Sequence, residues 1–271
     1  MIRRRDIIEE LTNRGYVAVE YISIKNGVEL NGICFMNKNG ICPIVYTDNI
    51  IENADSLMEA VRIVLEIYNN VDIMNFDKED LMDLDFILGN LYIGLQKTSN
   101  EEIIKSATDF DGIEKYLYIR INKNTSFKLT HILLDNMQID ENEAWKMAES
   151  NTFAKTVIIS MSEKLHELVG FEIDYMQDEK VEGMPVQYIV SNTMNFRGAS
   201  AILNMEALKE LAKKLNTHRF IVLPSSIHEM IVISDDGSGS IEEFNAMVQE
   251  INETQVDPEE RLTDRAYIIE V

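Results

Sequence analysis

Ser225, Ser226, His228 and Glu229 stand together between two apolar runs, Phe220 to Leu223 and Met230 to Ile233. A hydroxyl, an imidazole and a carboxylate are the groups that a nucleophile, its base and an orienting acid require. The flanking runs read as two strands joined at a corner. Polar side chains set between buried strands need hydrogen-bond partners whether or not they do chemistry. Strand geometry counts against a relay: Ser226 and His228 share one face and Glu229 points to the other, so an intervening turn would be needed. No Gly-x-Ser-x-Gly surrounds either serine. His228-Glu229 could open a His-Glu-x-x-His zinc helix, but Val232 occupies the second histidine position and β-branched Ile231 and Val232 favour strand. The cluster is therefore expected to be a hydrogen-bonded corner, with Ser226, His228 and Glu229 as catalytic candidates if it opens to solvent.

A second pattern spans Ser234 to Asn245. Asp236, Ser238 and Ser240 fall at the ligand positions of an EF-hand loop, Gly239 at its sharp turn and Ile241 at its apolar place. Ser234 and Asn245 replace the two anchoring carboxylates, however, and a strand-like segment precedes the loop. A Gly-Ser turn before a capped helix is the expectation, and no metal site is assigned. His131, His166 and His218 are isolated, without ligands at metal spacing. Neither Gly-x-Gly-x-x-Gly nor a Walker loop is present, so no cofactor is assigned. Asn151, Thr152, Asn192 and Ser225 are the binding candidates, on the expectation that strand ends bring them beside His228 in a polar pocket. The fourteen methionines are scattered over apolar faces and read as core filling.

The elements that would position these residues follow from periodicity and turn chemistry. Residues 2–13 read as a helix, and Asn26-Gly27 separates strands 16–25 and 28–36 as a type I′ hairpin. Asn39-Gly40 leads to a third strand, 41–46. The meander needs a cover, expected in the helix behind Ser56 and Glu59, whose Leu57, Val61, Val64, Leu65 and Tyr68 repeat at helical spacing. Strands are expected at 84–96 and 113–121, separated by a short helix after Asn100. Asp140 with Glu143 caps a helix ending near Asn151, and 155–169 reads as a second helix. Residues 170–184 read as a boundary loop. A strand (187–191), a helix capped by Asn204 (205–215), the strand pair around the corner, a helix behind Ser240 and Glu243, and a strand (266–271) complete the chain.

The expected fold class is α+β. It comprises an N-terminal lobe (1–152) with an antiparallel meander and covering helices, a connecting helix and acidic loop (153–186), and a smaller α+β lobe (187–271); one continuous domain is the alternative. At 271 residues the chain needs neither disulfide nor metal to sustain a core. Cys34 and Cys42 do not face each other across a common short loop and are expected to be buried free thiols. No apolar run reaches 18 residues, and no signal peptide follows the three N-terminal arginines, so a cytoplasmic location and no membrane contact are expected. With 47 acidic against 25 basic residues, a net charge of -22 repels phosphate backbones and favours solubility or a basic protein partner over direct nucleic-acid binding.

Several segments together resemble an uncharacterised bacterial family, domain of unknown function 5688. They are Lys25-Asn26-Gly27-Val28 with Leu30, Gly32 and Ile33; Pro43 with Tyr46; Ala148, Asn151 and Thr152; Ser191-Asn192 followed by Gly198-Ala199; Leu223 to Glu229; and Val248 to Val256 with Glu260, Leu262 and Tyr267. The resemblance covers nearly the whole chain and is most specific at Pro224 to Glu229. It departs at Ser191-Asn192, where family members usually read Thr-Asn. It implies a bacterial, intracellular protein and carries no catalytic residue set. The functional expectation is a non-enzymatic acidic interaction protein. The alternative is a small-molecule binder or enzyme with a polar pocket around His228.

Overall fold

Asn26 and Gly27 both have positive φ, 50° and 79°, the backbone that a two-residue I′ turn requires. They close the hairpin of β1 (Ala18–Lys25) and β2 (Val28–Phe35), whose eight residue pairs run without a register break. The computed structural model describes residues 2–36, 42–70, 83–122, 126–169, 186–237 and 239–271, apart from the side chains of 166–169. Among these the fold is α+β, with three antiparallel sheets. The chain divides into two compact units, residues 1–78 and 79–271.

In the first unit β3 (Ile44–Tyr46) extends the hairpin into a meander in the order β1-β2-β3. Helices α1 (Arg4–Asn13) and α3 (Leu57–Asn70) cover one face, burying Ile7, Leu11, Ala60, Val61 and Val64 against Ile33, Phe35 and Val45. The Ser56 hydroxyl accepts the Glu59 amide at 3.2 Å, while the Glu59 carboxylate reaches back to the Asp55 amide rather than to that of Ser56. A helix not anticipated, α2 (Asp48–Asn53), precedes it. Cys34 and Cys42 are free thiols; Cys34 is buried and Cys42 only half-buried. The Asn39-Gly40 turn lies outside the described residues.

The second unit holds two sheets. One is β4 (Leu91–Lys97), β6 (Ile113–Arg120) and β5 (Lys105–Ala107), with β7 (Ser126–Lys128) also paired to β6. Its odd-numbered β4 and β6 residues, among them Leu91, Ile93, Leu117 and Ile119, pack against helices α4 (Leu84–Gly89), α5 (His131–Met137) and α6 (Glu141–Phe153). The other sheet runs β12-β10-β11-β9-β8 (Tyr267–Glu270, Arg219–Ser226, Glu229–Ser234, Gln187–Asn192, Thr156–Ser160). Phe220, Val222, Met230 and Val232 face the 3-10 helix Gly198–Leu203 and α8 (Met205–Leu215). Ile221, Leu223 and Ile233 face α9 (Ile241–Gln255), so each side chain from Phe220 to Leu223 finds a core on one side or the other.

Three expectations are corrected. Residues 84–96 are not one strand: Asp83 accepts the amides of Asp85 and Phe86, caps α4, and β4 begins only after Asn90. The segment after Asn100 contributes β5, not a helix. Residues 155–169 are β8 followed by α7 (Met161–Val169), because Thr156 to Ile159 are β-branched and pair with β9 from Thr156↔Asn192 to Ser160↔Tyr188. Residues 170–184, read as a boundary loop, lie outside the described residues. No helix among the described residues is long and apolar enough to cross a membrane.

Candidate functional site

The corner expected between β10 and β11 is present, and a bulge makes it. Pro224 pairs with Met230 and Ser226 with Glu229, leaving Ser225 as the extra residue. The bulge also accommodates a proline that cannot donate to the ladder. The corner is tied down by backbone bonds, the Ile227 amide to the Glu260 carbonyl at 2.8 Å and the Ala199 amide to the Ile227 carbonyl at 3.2 Å.

Ser226, Ser191 and His228 have structural partners in the corner. The Ser226 hydroxyl accepts the His228 backbone amide at 3.0 Å and does not meet the imidazole. The Ser191 hydroxyl donates to the His228 carbonyl at 2.9 Å. His228 Nδ1 accepts the Arg197 backbone amide at 3.2 Å. An amide can only donate, so Nδ1 carries the lone pair and Nε2 the proton, with Glu260 Oε1 3.3 Å from Nε2. The carboxylate beside the ring is thus Glu260, not Glu229, and no side-chain hydrogen bond joins Glu229 to Ser226 or His228. The His228 side chain is 32% exposed, neither sealed in the core nor standing in an open cleft.

The other candidates lie in the same unit but do not converge on His228. Asn151 donates to the Leu88 and Leu91 carbonyls at 2.7 and 2.9 Å, joining α6 to the turn between α4 and β4. Thr152, buried, accepts the Ile93 amide at 2.9 Å. Asn192 accepts the Met194 amide and donates to the Phe196 carbonyl, shaping the loop after β9. A cavity of about 700 Å³ opens between β4, α6 and the start of α8, lined by Lys115, Glu149, Phe153 and Glu206 among others, and by none of the candidate residues. In the loop Ser234 to Asn245, Asp235 pairs with Arg219 at 2.9 Å and Asn245 accepts the Ala266 amide at 2.7 Å. Ser240 and Glu243 form a reciprocal capping box, and Ser238 lies outside the described residues.

A second polar region escaped sequence reading: the even-numbered face of β4 and β6. Gln96 and Glu114 are buried there. Gln96 donates to Glu114 at 2.7 Å and accepts from Lys128 at 2.7 Å, and Lys128 pairs with Glu101 at 2.7 Å. Burial holds the Lys128 ammonium below its usual range, despite the opposing pull of Glu101. Beside this network sit Tyr92, Tyr116 and Tyr118; burial pushes the phenols of Tyr116 and Tyr118 upward. Gly94 makes room, since a Cβ there would lie 2.6 Å from Tyr116 Cζ. The loop after β9 lays Phe196 and Arg197 onto this face. Arg197 donates to the Tyr116 hydroxyl, and its guanidinium carbon lies 5.6 and 5.2 Å from the Tyr118 and Phe196 ring centres. The available signal was the alternation Tyr116, Tyr118, Arg120 in a strand whose other face carries Ile113, Leu117 and Ile119 with Lys115 as its one charge.

These features lie within a single family match. The chain belongs to the family of unknown function DUF5688, which matches residues 3–270. No curated protein and no solved structure matches it.

Proposed function

We propose that this chain is a non-enzymatic, cytoplasmic bacterial protein that binds a basic protein segment, with α9 as the contact surface. The observation that carries the reading is the outer face of α9. Glu242, Glu243, Glu250 and Glu253 are exposed, Met247 and Ile251 are 43% and 37% exposed beside them, and the helix contains no lysine or arginine. Such a face suits a basic amphipathic segment, whose charges steer association and whose apolar side chains cover Met247 and Ile251. Residues 235–271 carry eleven acidic side chains against Arg261 and Arg265, which extends the same field. What favours binding over catalysis at His228 is that Ser226, Asn151, Thr152, Asn192 and His228 Nδ1 are occupied in holding loops and strand ends together.

Affinity capture from native bacterial lysate tests the proposal, using the wild type and a Glu250→Lys/Glu253→Lys variant at low and high salt. A stoichiometric basic partner that is lost in the variant and at high salt is expected. Recovery of the same partner by both proteins, or of none, overturns the assignment to α9.

A further inference from the structure

In a chain with almost twice as many carboxylates as cations, most arginines are expected to find an acid. Arg120 and Arg197 do not: among the described residues neither forms an ion pair, and they converge on one ring. Their guanidinium carbons lie 5.6 and 5.2 Å from the Phe196 centroid. Both side chains are half-buried and retain accessible surface. Among the described residues Arg120 uses only Nε, donating to the Asn122 carbonyl at 3.0 Å, and Arg197 uses only one terminal nitrogen, donating to Tyr116. A guanidinium has five N–H donors in a rigid fork, so most of this donor set is uncommitted.

Arg197 carries two further marks of a built site. Its Nε is buried and has no hydrogen-bond partner among the described residues. The Nε of Arg219 is in the same position, but that guanidinium is already paired with Asp235. The backbone of Arg197 is also left-handed, at φ 49°. The other non-glycine residues in that region have ready reasons: Asn26 forms a hairpin turn, Gln138 and Asn216 end helices, and Asn195 is a type that tolerates the conformation. Arginine has no such preference, and the strained residue is held by its surroundings. Its amide is pinned to His228 Nδ1, and Gly198 after it packs so closely that a Cβ would lie 2.5 Å from the His228 carbonyl oxygen. The nearby carboxylates Glu101 and Glu260 are already engaged by Lys128 and His228.

We propose that Arg120 and Arg197, flanking Phe196, bind a small multivalent oxyanion: a diphosphate or a dicarboxylate whose two charged groups each take one guanidinium fork. The net negative field of the protein slows the approach of such an anion but does not remove the local, partly desolvated contacts that hold it. The two assignments rest on different residues, and either can fail without the other.

Isothermal titration of the full chain at low ionic strength, with pyrophosphate and succinate as separate probes, tests this. Saturable one-to-one binding of at least one probe is expected, weakened about tenfold or more by Arg120→Gln or Arg197→Gln. The probe that binds distinguishes a phosphate from a carboxylate source. Arg62→Gln in the first unit serves as a control that leaves affinity unchanged. Thermal melts of each variant establish folding. Should Arg197→Gln not fold, Arg120→Lys, which keeps the charge but loses the fork, carries the test through an intermediate affinity. No saturable heat with either probe at millimolar concentration, or an affinity unaltered in folded Arg120→Gln, overturns the proposal.

Discussion

The corner at Pro224 to Glu229 and the charged face of the β4-β6 sheet are neighbours, joined through the Arg197 amide, yet they treat polar atoms oppositely. In the corner, the Ser191 and Ser226 hydroxyls, the His228 amide and imidazole Nδ1 are matched to partners within the protein, and Glu260 stands beside Nε2. On the sheet face the lysines and glutamates satisfy one another, while Arg120 and Arg197 keep donors in reserve. A residue set that could do chemistry is therefore a poor guide until its hydrogen bonds are accounted for. Matched groups hold a fold together; a buried unmatched one calls for an explanation.

The comparison can be broken most severely at Gly198. Gly198→Ala would drive a Cβ into backbone atoms, the His228 oxygen at 2.5 Å and the Asn192 nitrogen at 2.9 Å. Backbone cannot move aside as a flexible side chain can, so a loss of about 3 kcal/mol is expected in urea denaturation. A loss below about 1 kcal/mol would mean that the corner is looser than its bonds imply. On the sheet face, Gly94→Ala presses on the buried Tyr116 ring, which can shift only by disturbing Arg197, and should cost about 2 kcal/mol by the same measurement.

Alkaline pH sharpens the comparison without a mutation, because two of the three raised phenols among the described residues, Tyr116 and Tyr118, belong to the sheet face, Tyr267 on β12 being the third. Tyr116 and Tyr118 ionise less readily folded than unfolded, so above pH 10.0 the native state binds more protons than the unfolded chain. Their contribution is fully present below that pH and is lost as pH rises above it. Lys128 acts in the opposite direction: its lowered value makes stability rise with pH just below 10.5. Stability measured against pH should therefore fall beyond 10.0, and ultraviolet titration should show two phenols ionising only with unfolding. Early ionisation of all ten tyrosines in a still-folded chain would contradict their burial. The smallest effect is expected for Thr152→Val, which leaves the buried Ile93 amide without its acceptor and should cost about 1 kcal/mol in the same denaturation assay.

The two units also differ in charge. Residues 1–78 carry 12 acidic and 8 basic side chains, leaving 35 and 17 to residues 79–271. The acidity that marks the whole composition thus belongs chiefly to the second unit, where α9 lies.

Local signals determined what local chemistry can determine. Asn26-Gly27 specified a hairpin because its two positive φ angles suit those residue types. Asp140, Asn204 and Ser240 specified helix starts because their side chains accept amides that no carbonyl in the helix reaches. The corner at Pro224 to Glu229 was legible from two apolar runs enclosing a polar cluster. Where two elements abut without a break in hydrophobicity, as at α4-β4 and β8-α7, the boundary was not legible, because periodicity over so few residues fits either geometry. Tertiary structure alone decided the partners of polar side chains. Glu260, thirty-two residues beyond His228, displaced Glu229 from beside the imidazole, and Arg120, at the end of β6, was brought to the Phe196 ring beside Arg197, in the loop after β9. Sequence spacing orders residues along one element, whereas hydrogen bonds and ring contacts form wherever packing brings distant elements together, and packing depends on the whole chain at once.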